Sequence, residues 1–164
     1  MQKLDAPNDA SKDRMTIYIT TEALQQIRSA GEDGYPDEVC GLMLGRDGKD
    51  GRTVSALVPV ANSFEGEEQY HRYLITPADM FRAEREARRL GLDVLGVYHS
   101  HPNAPARPSE YDRDHAAWTT WSYVIVSVSE GNASEVRAWR LHDDRSAYDE
   151  DHLAVRDTGP AALH

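Results

Sequence analysis

Between residues 94 and 118 the chain must change direction sharply. Residues 94–98, Val-Leu-Gly-Val-Tyr, read as a buried strand that runs straight into His99-Ser100-His101-Pro102. Residues 102–108 hold three prolines. Each proline removes a backbone donor and fixes φ, so this stretch is a loop and not a regular element. Ser109-Glu110-Tyr111-Asp112 then carries the Ser-x-x-acid spacing of a helix start, and the pattern predicts a helix over 109–118.

Successive strand residues alternate between faces, so His99 and His101, two apart, can reach one point. Asp112, in the first turn of the next helix, can supply a third ligand. Two imidazole nitrogens and a carboxylate oxygen suit zinc with a fourth position left for water, and there is no thiolate cluster to suggest a closed structural site. Each piece also has a plain reading. His-Ser-His can be an exposed strand end, and residues 109–112 a simple capping box. The two readings compete for the Asp112 carboxylate.

The rest of the chain supplies a frame. Residues 15–19 alternate as a strand, and Thr20 or Thr21 caps a helix with Ala23, Leu24 and Ile27 on its apolar stripe. Residues 39–44 and 53–60 read as a hairpin joined by a long loop through the turn-rich segment 45–51. Residues 62–69 read as a polar loop and 70–75 as a short strand. Thr76-Pro77-Ala78-Asp79 opens a helix with Met80, Ala83, Ala87 and Leu90 at helical spacing, stopped by Gly91. Residues 123–128 and 135–141 read as strands joined at Glu130-Gly131-Asn132. This order predicts an α/β fold, a single-domain α-β-α sandwich around a mixed central sheet. Residues 1–14 read as a disordered tail, 15–142 as the domain and 143–164 as an acidic, loosely ordered tail.

Composition narrows the partners. The 164 residues suit one domain, and a net charge of −10 argues against nucleic acid or an anionic membrane. No apolar run is long enough for a membrane span, and residues 1–14 lack the apolar stretch of a secretory signal. The single cysteine, Cys40, excludes an internal disulfide framework and reads as a small buried hydrophobe. Together these predict a cytoplasmic protein. His115 reads as an exposed helix histidine, Trp118 and Trp121 as core or groove wall, and His142, His152 and His164 as solvated. Alone, Glu38 reads as a solvated glutamate ahead of a strand.

His-x-His-Pro, seven residues between His101 and Ser109, then Ser-x-x-Asp, resembles the signature of the JAMM (MPN-plus, Mov34/PAD-1-like) metallopeptidases. That family also carries an upstream glutamate ahead of a Cys-Gly or similar pair, which Glu38-Val39-Cys40-Gly41-Leu42 matches. The element order from 15 to about 141 resembles the family's MPN/JAMM, cytidine-deaminase-like fold. The resemblance implies one Zn2+ per chain with a bound water, held by His99, His101 and Asp112. It implies that Glu38 deprotonates that water and that Ser109 hydrogen-bonds the oxyanion. Zinc lowers the pKa of its water to roughly 7, a carboxylate can pass the proton to the leaving amine, and an oxyanion donor contributes about 10²–10³ in rate.

The compact chain looks like the small prokaryotic members, some of which act on ubiquitin-like sulfur-carrier proteins. The resemblance therefore implies a zinc hydrolase that cleaves an amide or isopeptide bond at the C-terminus of a ubiquitin-like or sulfur-carrier protein. Its tail would lie beside the zinc as an added strand, reached between loops 62–69 and 103–107, with Asn62 and Arg107 as candidate substrate-binding residues. Arg107 and Arg72 are candidates to hold acidic groups of the partner, and each also reads as an ordinary surface arginine. Two alternatives stay open: a zinc peptidase or amidohydrolase acting on a small peptide or metabolite, and a non-catalytic MPN scaffold module.

The cations are fifteen arginines and three lysines. A salt-adapted host or a GC-rich genome would each give this bias in an acidic chain. Thermal unfolding in rising KCl separates the two. A melting temperature that climbs with salt marks the first, and a flat response marks the second.

Overall fold

The computed structural model describes residues 15–61, 73–116 and 118–157. Strand β1 (Thr16–Ile19) leads into helix α1 (Thr21–Gly34), then the hairpin β2 (Cys40–Gly48) and β3 (Gly51–Val60). Helix α2 (Pro77–Leu90), strand β4 (Asp93–Pro102) and the short helix α3 (Glu110–His115) follow. Strands β5 (Ser122–Ser129), β6 (Asn132–Leu141) and β7 (Tyr148–Val155) complete the order.

All seven strands form one mixed sheet, β1-β3-β2-β4-β5-β6-β7, which curls until β7 also pairs β1. The pairs β1–β3, β1–β7 and β4–β5 are parallel; the others are antiparallel. Each face of the sheet has its own apolar layer. On one, Ala23 and Ile27 of α1 pack with Ile17, Met43, Val54, Tyr98 and Val126. On the other, Ala83 and Ala87 of α2 pack with Leu42, Leu44, Val58, Val97 and Tyr123. This is the layered α/β arrangement expected. Each fully buried Leu, Ile or Val in these layers contributes about 2 kcal/mol.

β4 lies between the layers, flanked by β2 and β5, and is buried from Leu95 through His101. Its register with β2 slips between Gly96 and Val94, leaving Leu95 as a bulge residue that turns to the α1 side while Val94 and Val97 face α2. Gly96 is needed there: a Cβ would sit 1.7 Å from the Ser122 carbonyl oxygen across the parallel β4–β5 pair. Both caps of α2 are as expected. Thr76 and Asp79 exchange side-chain and backbone hydrogen bonds, and Gly91 ends the helix with φ at 68°.

Four local expectations need correction. The β2–β3 connection is a two-residue turn at Lys49-Asp50, not a long loop. Its glycines let the strands come close: a Cβ on Gly45 would lie 1.8 Å from the Thr53 carbonyl oxygen. Residues 73–76 form no strand, and α3 stops at His115 instead of reaching Trp118. The segment expected to be a loose C-terminal tail contains β7. That strand is held by a polar contact that hydropathy cannot reveal: buried Asp151 accepts from Arg140 Nε at 2.8 Å and from the Met15 amide at 3.3 Å. The readings of 1–14 as disordered and 62–69 as a loop lie outside the described residues.

Because β7 joins β6 to β1, the domain extends past the boundary expected at 142. A chain ending at residue 142 should lose cooperative urea unfolding, since it opens the sheet and leaves β1 paired only with β3 and β6 only with β5. A truncated chain that unfolds in one sharp transition at the full-length midpoint would show β7 to be dispensable.

Candidate metal centre

β4 presents both histidines from its buried end. Its register with β5 sets His99 against Ile125 and His101 against Ser127, while β2 sets Cys40 against His99. Ser100, between the histidines, faces the other way and clamps the chain just ahead of β2. Its hydroxyl accepts from the Val39 amide at 2.9 Å, and its own amide donates to the Val39 carbonyl at 3.0 Å. That clamp places Glu38 beside His99, with Glu38 Oε1 2.9 Å from His99 Nδ1. After Pro102 the chain makes a short strap, 103–109, and re-enters as α3.

The capping and ligand readings of Asp112 coexist. Asp112 Oδ2 accepts from the Ser109 amide at 2.8 Å, and the Asp112 amide donates to Ser109 Oγ at 3.1 Å. The same Oδ2 lies 3.1 Å from His101 Nε2, while Oδ1 lies 3.9 Å from His99 Nε2. The helix cap thus holds the carboxylate in the orientation that faces both rings. His101 Nδ1 donates to the Pro105 carbonyl at 2.9 Å, so Nε2 is the ring nitrogen left to face the cluster.

Glu38, His99, His101 and Asp112 together offer ligand atoms within 4.8 Å of one another. Glu38 is 2% exposed, His99 1% and Asp112 5%. The arrangement fits a divalent cation on two grounds. Two buried carboxylates beside two imidazoles leave negative charge in a low-dielectric place, which is costly unless a cation answers it. The spacing also suits a tetrahedral ion: ligand atoms about 2 Å from such a metal stand roughly 3.3 Å apart, and the 3.1 and 3.9 Å separations bracket that value.

The model of the prokaryotic homologs of the JAB domain matches residues 20–142, three quarters of the chain. This chain belongs to the JAB/MPN family. It is 35% identical over 115 residues to a desampylase of Haloferax volcanii, covering 68% of this chain and 80% of the relative. It is 32% identical to a probable TtuB-protein conjugate cleaving protease of Thermus thermophilus, covering 70% and 72%. A CysO-cysteine peptidase of Mycobacterium tuberculosis is 28% identical, covering 78% and 86%. Among solved structures, a Salinibacter ruber protein is 42% identical with a TM-score of 0.68, over 85% of this chain and 92% of that one. A JAB1/MPN domain protein from Archaeoglobus fulgidus, 22% identical, shares the fold with a TM-score of 0.52 over 87% and 97%.

Within this JAB/MPN domain, Ser109 sits at the exposed rim of the site. Its oxygen is occupied as acceptor by the Asp112 amide, so its hydroxyl proton remains to donate outward. Arg107 is exposed on the strap. It lines a cleft of about 490 Å³ with Glu38, His101, Pro102, Ser109 and Tyr111. Asn62 and Arg72 lie outside the described residues. An incoming tail cannot pair with β4 as an added strand, because β2 and β5 already flank it.

His115 stacks on Tyr111 with centroids 3.8 Å apart and stays at the surface, as expected. Two contributors escaped the sequence reading. Tyr73 stacks on His99 with ring centroids 4.5 Å apart, yet nothing in its local pattern separates it from a core tyrosine. Ser100 was legible only as the spacer between two ligands.

Electrostatics follow the burial. Desolvation pushes the His99 imidazole down, but the Asp112 and Glu38 carboxylates beside it outweigh that and raise it above its ordinary value. Burial pushes Asp112 up; His99, the hydrogen bond from His101 and the Ser109 amide together hold it well below the carboxylate range. Cys40 is buried, as expected, and desolvation with the nearby Glu38 charge raises its thiol to about 12. A thiol held protonated is unreactive. At pH 8 the folded protein should react with a thiol probe about a hundredfold slower than the urea-unfolded chain. Equal rates would place Cys40 in contact with solvent.

Proposed function

We propose that this protein is a zinc-dependent JAMM-type peptidase. It cleaves the amide or isopeptide bond that follows the C-terminal tail of a ubiquitin-like or sulfur-carrier protein. The observation that carries the reading is the convergence of Glu38, His99, His101 and Asp112, of which Glu38 and His101 reach the wall of an open cleft. The names of the relatives support the substrate class, since they include a desampylase, a probable TtuB-protein conjugate cleaving protease and a CysO-cysteine peptidase. Arg107, and Asn62 by sequence, are proposed to hold the tail. A cytoplasmic location goes with this reading.

His99, His101 and Asp112 would hold the metal. Zinc bound there supplies a Lewis acid that makes water nucleophilic at neutral pH and polarises the scissile carbonyl. Glu38 takes a proton from the attacking water as the new C–O bond forms, then delivers it to the departing nitrogen as the C–N bond breaks. Its burial and its position beside His99 keep it within reach of both steps. Ser109 donates its free hydroxyl proton to the oxygen that gains charge in the tetrahedral state.

The purified protein should carry close to one zinc per chain by elemental analysis. Glu38→Gln should keep that zinc and lose about 10²–10⁴ in turnover, whereas His99→Ala and Asp112→Ala should lose the metal as well. Candidate carriers extended by cysteine, by a short peptide or through a lysine side chain should be shortened at the tail, by mass, only without a chelator. Cleavage of free peptides but of none of these carriers would instead favour a small-peptide hydrolase. Full activity in Glu38→Gln would show the base to be another residue.

A further inference from the structure

The strap 103–109 joins one proposed ligand to the cap of another, and its backbone is pinned from outside. The Pro105 carbonyl accepts from His101 Nδ1 at 2.9 Å. The carbonyls on either side of it are both held by the barrel wall. Ser127 donates its hydroxyl to the Ala104 carbonyl at 2.6 Å, and Trp139 donates its indole N–H to the Ala106 carbonyl at 3.0 Å. Ala106 is buried although it lies in a loop. On the other ligand, the Tyr148 hydroxyl donates to the Asp112 backbone carbonyl at 3.1 Å. Trp139 belongs to β6 and Tyr148 to β7, and both line a surface groove with Arg107 and Ser109.

We propose that Trp139 and Tyr148 are positioning residues of the metal centre, acting through His101 and Asp112. The inference rests on the metal reading above. The physical reason is the choice of ring nitrogen. His101 presents an unprotonated Nε2 only while Nδ1 has a carbonyl to donate to. The Pro105 carbonyl stays in place because Ala104 and Ala106 are fixed on each side. Tyr148 does the same for the Asp112 carboxylate by holding the backbone of a six-residue helix that is too short to hold itself. A purely structural role is the competing account, since each hydrogen bond also steadies a loop.

The test removes each donor and keeps the ring, in Trp139→Phe and Tyr148→Phe. Zinc affinity is measured by competition with a chelator, and the visible spectrum is recorded with cobalt in place of zinc. Thr21→Val is the control. It removes a hydrogen bond to Asp157, just past the far end of β7, a strand whose length from Tyr148 is roughly 23 Å. Each test variant should raise the zinc dissociation constant about tenfold and weaken the cobalt band, with the control at the wild-type value. Dissociation constants within twofold of wild type, with an unchanged cobalt spectrum, would overturn the proposal even if the variants melt earlier. Wild-type protein that takes up no zinc would sink the metal reading instead, a separate outcome. Should Trp139→Phe fail to fold, Ser127→Ala reports on the same strap through Ala104, under the same criteria.

Discussion

Two carboxylates, Glu38 and Asp112, are buried beside two imidazoles with too little positive charge to answer them, and the fold is arranged to keep them there. Burying even one uncompensated carboxylate is costly. A chain free to relax would let these groups swing to solvent. Here that escape is closed. Glu38 is set in place by the Ser100–Val39 clamp, and Asp112 by its own helix cap and by His101. The energy for this restraint comes from the two apolar layers on either side of β4. A cation in the gap would turn an unfavourable cluster into a favourable one.

The position of β4 explains how a small domain sustains the arrangement. The strand is flanked on both edges and covered on both faces, so its last residues cannot fray. The parallel pairing to β5 aligns His101 with Ser127, which in turn reaches the strap. Closure of the sheet through β7 brings Tyr148 to the back of α3. Every proposed ligand is therefore held by at least one element distant in sequence, while Glu38 and His101 border an open cleft.

The legible parts of the site were those built from local rules. Two histidines at strand spacing, a proline-broken strap and a Ser-x-x-Asp helix start all announce themselves within fourteen residues, 99–112. Both helix caps of α2 were visible for the same reason. Glu38 was not visible from its surroundings, because what buries it is a clamp from the far-off Ser100; only its resemblance to a family pattern singled it out. β7 was missed because its anchor is the Asp151–Arg140 contact in an acidic stretch that hydropathy reads as solvated. The glycines of 45–51 suggested a long loop when they serve the close approach of two strands.

The double duty of Asp112 bears on how this family's members can lose their chemistry. One oxygen closes the first turn of α3 and faces His101; the other looks toward His99. Replacing this residue would cost a proposed ligand and the cap of the turn that carries it. Replacing a histidine on β4 would cost a proposed ligand and its ring contacts, His101 with the Pro105 carbonyl and His99 with Tyr73, but would leave the strand's pairing intact. A descendant drifting toward a metal-free adaptor would thus more readily shed an imidazole and keep the aspartate, so an orphaned Ser-x-x-Asp turn after a proline strap is the fossil to look for.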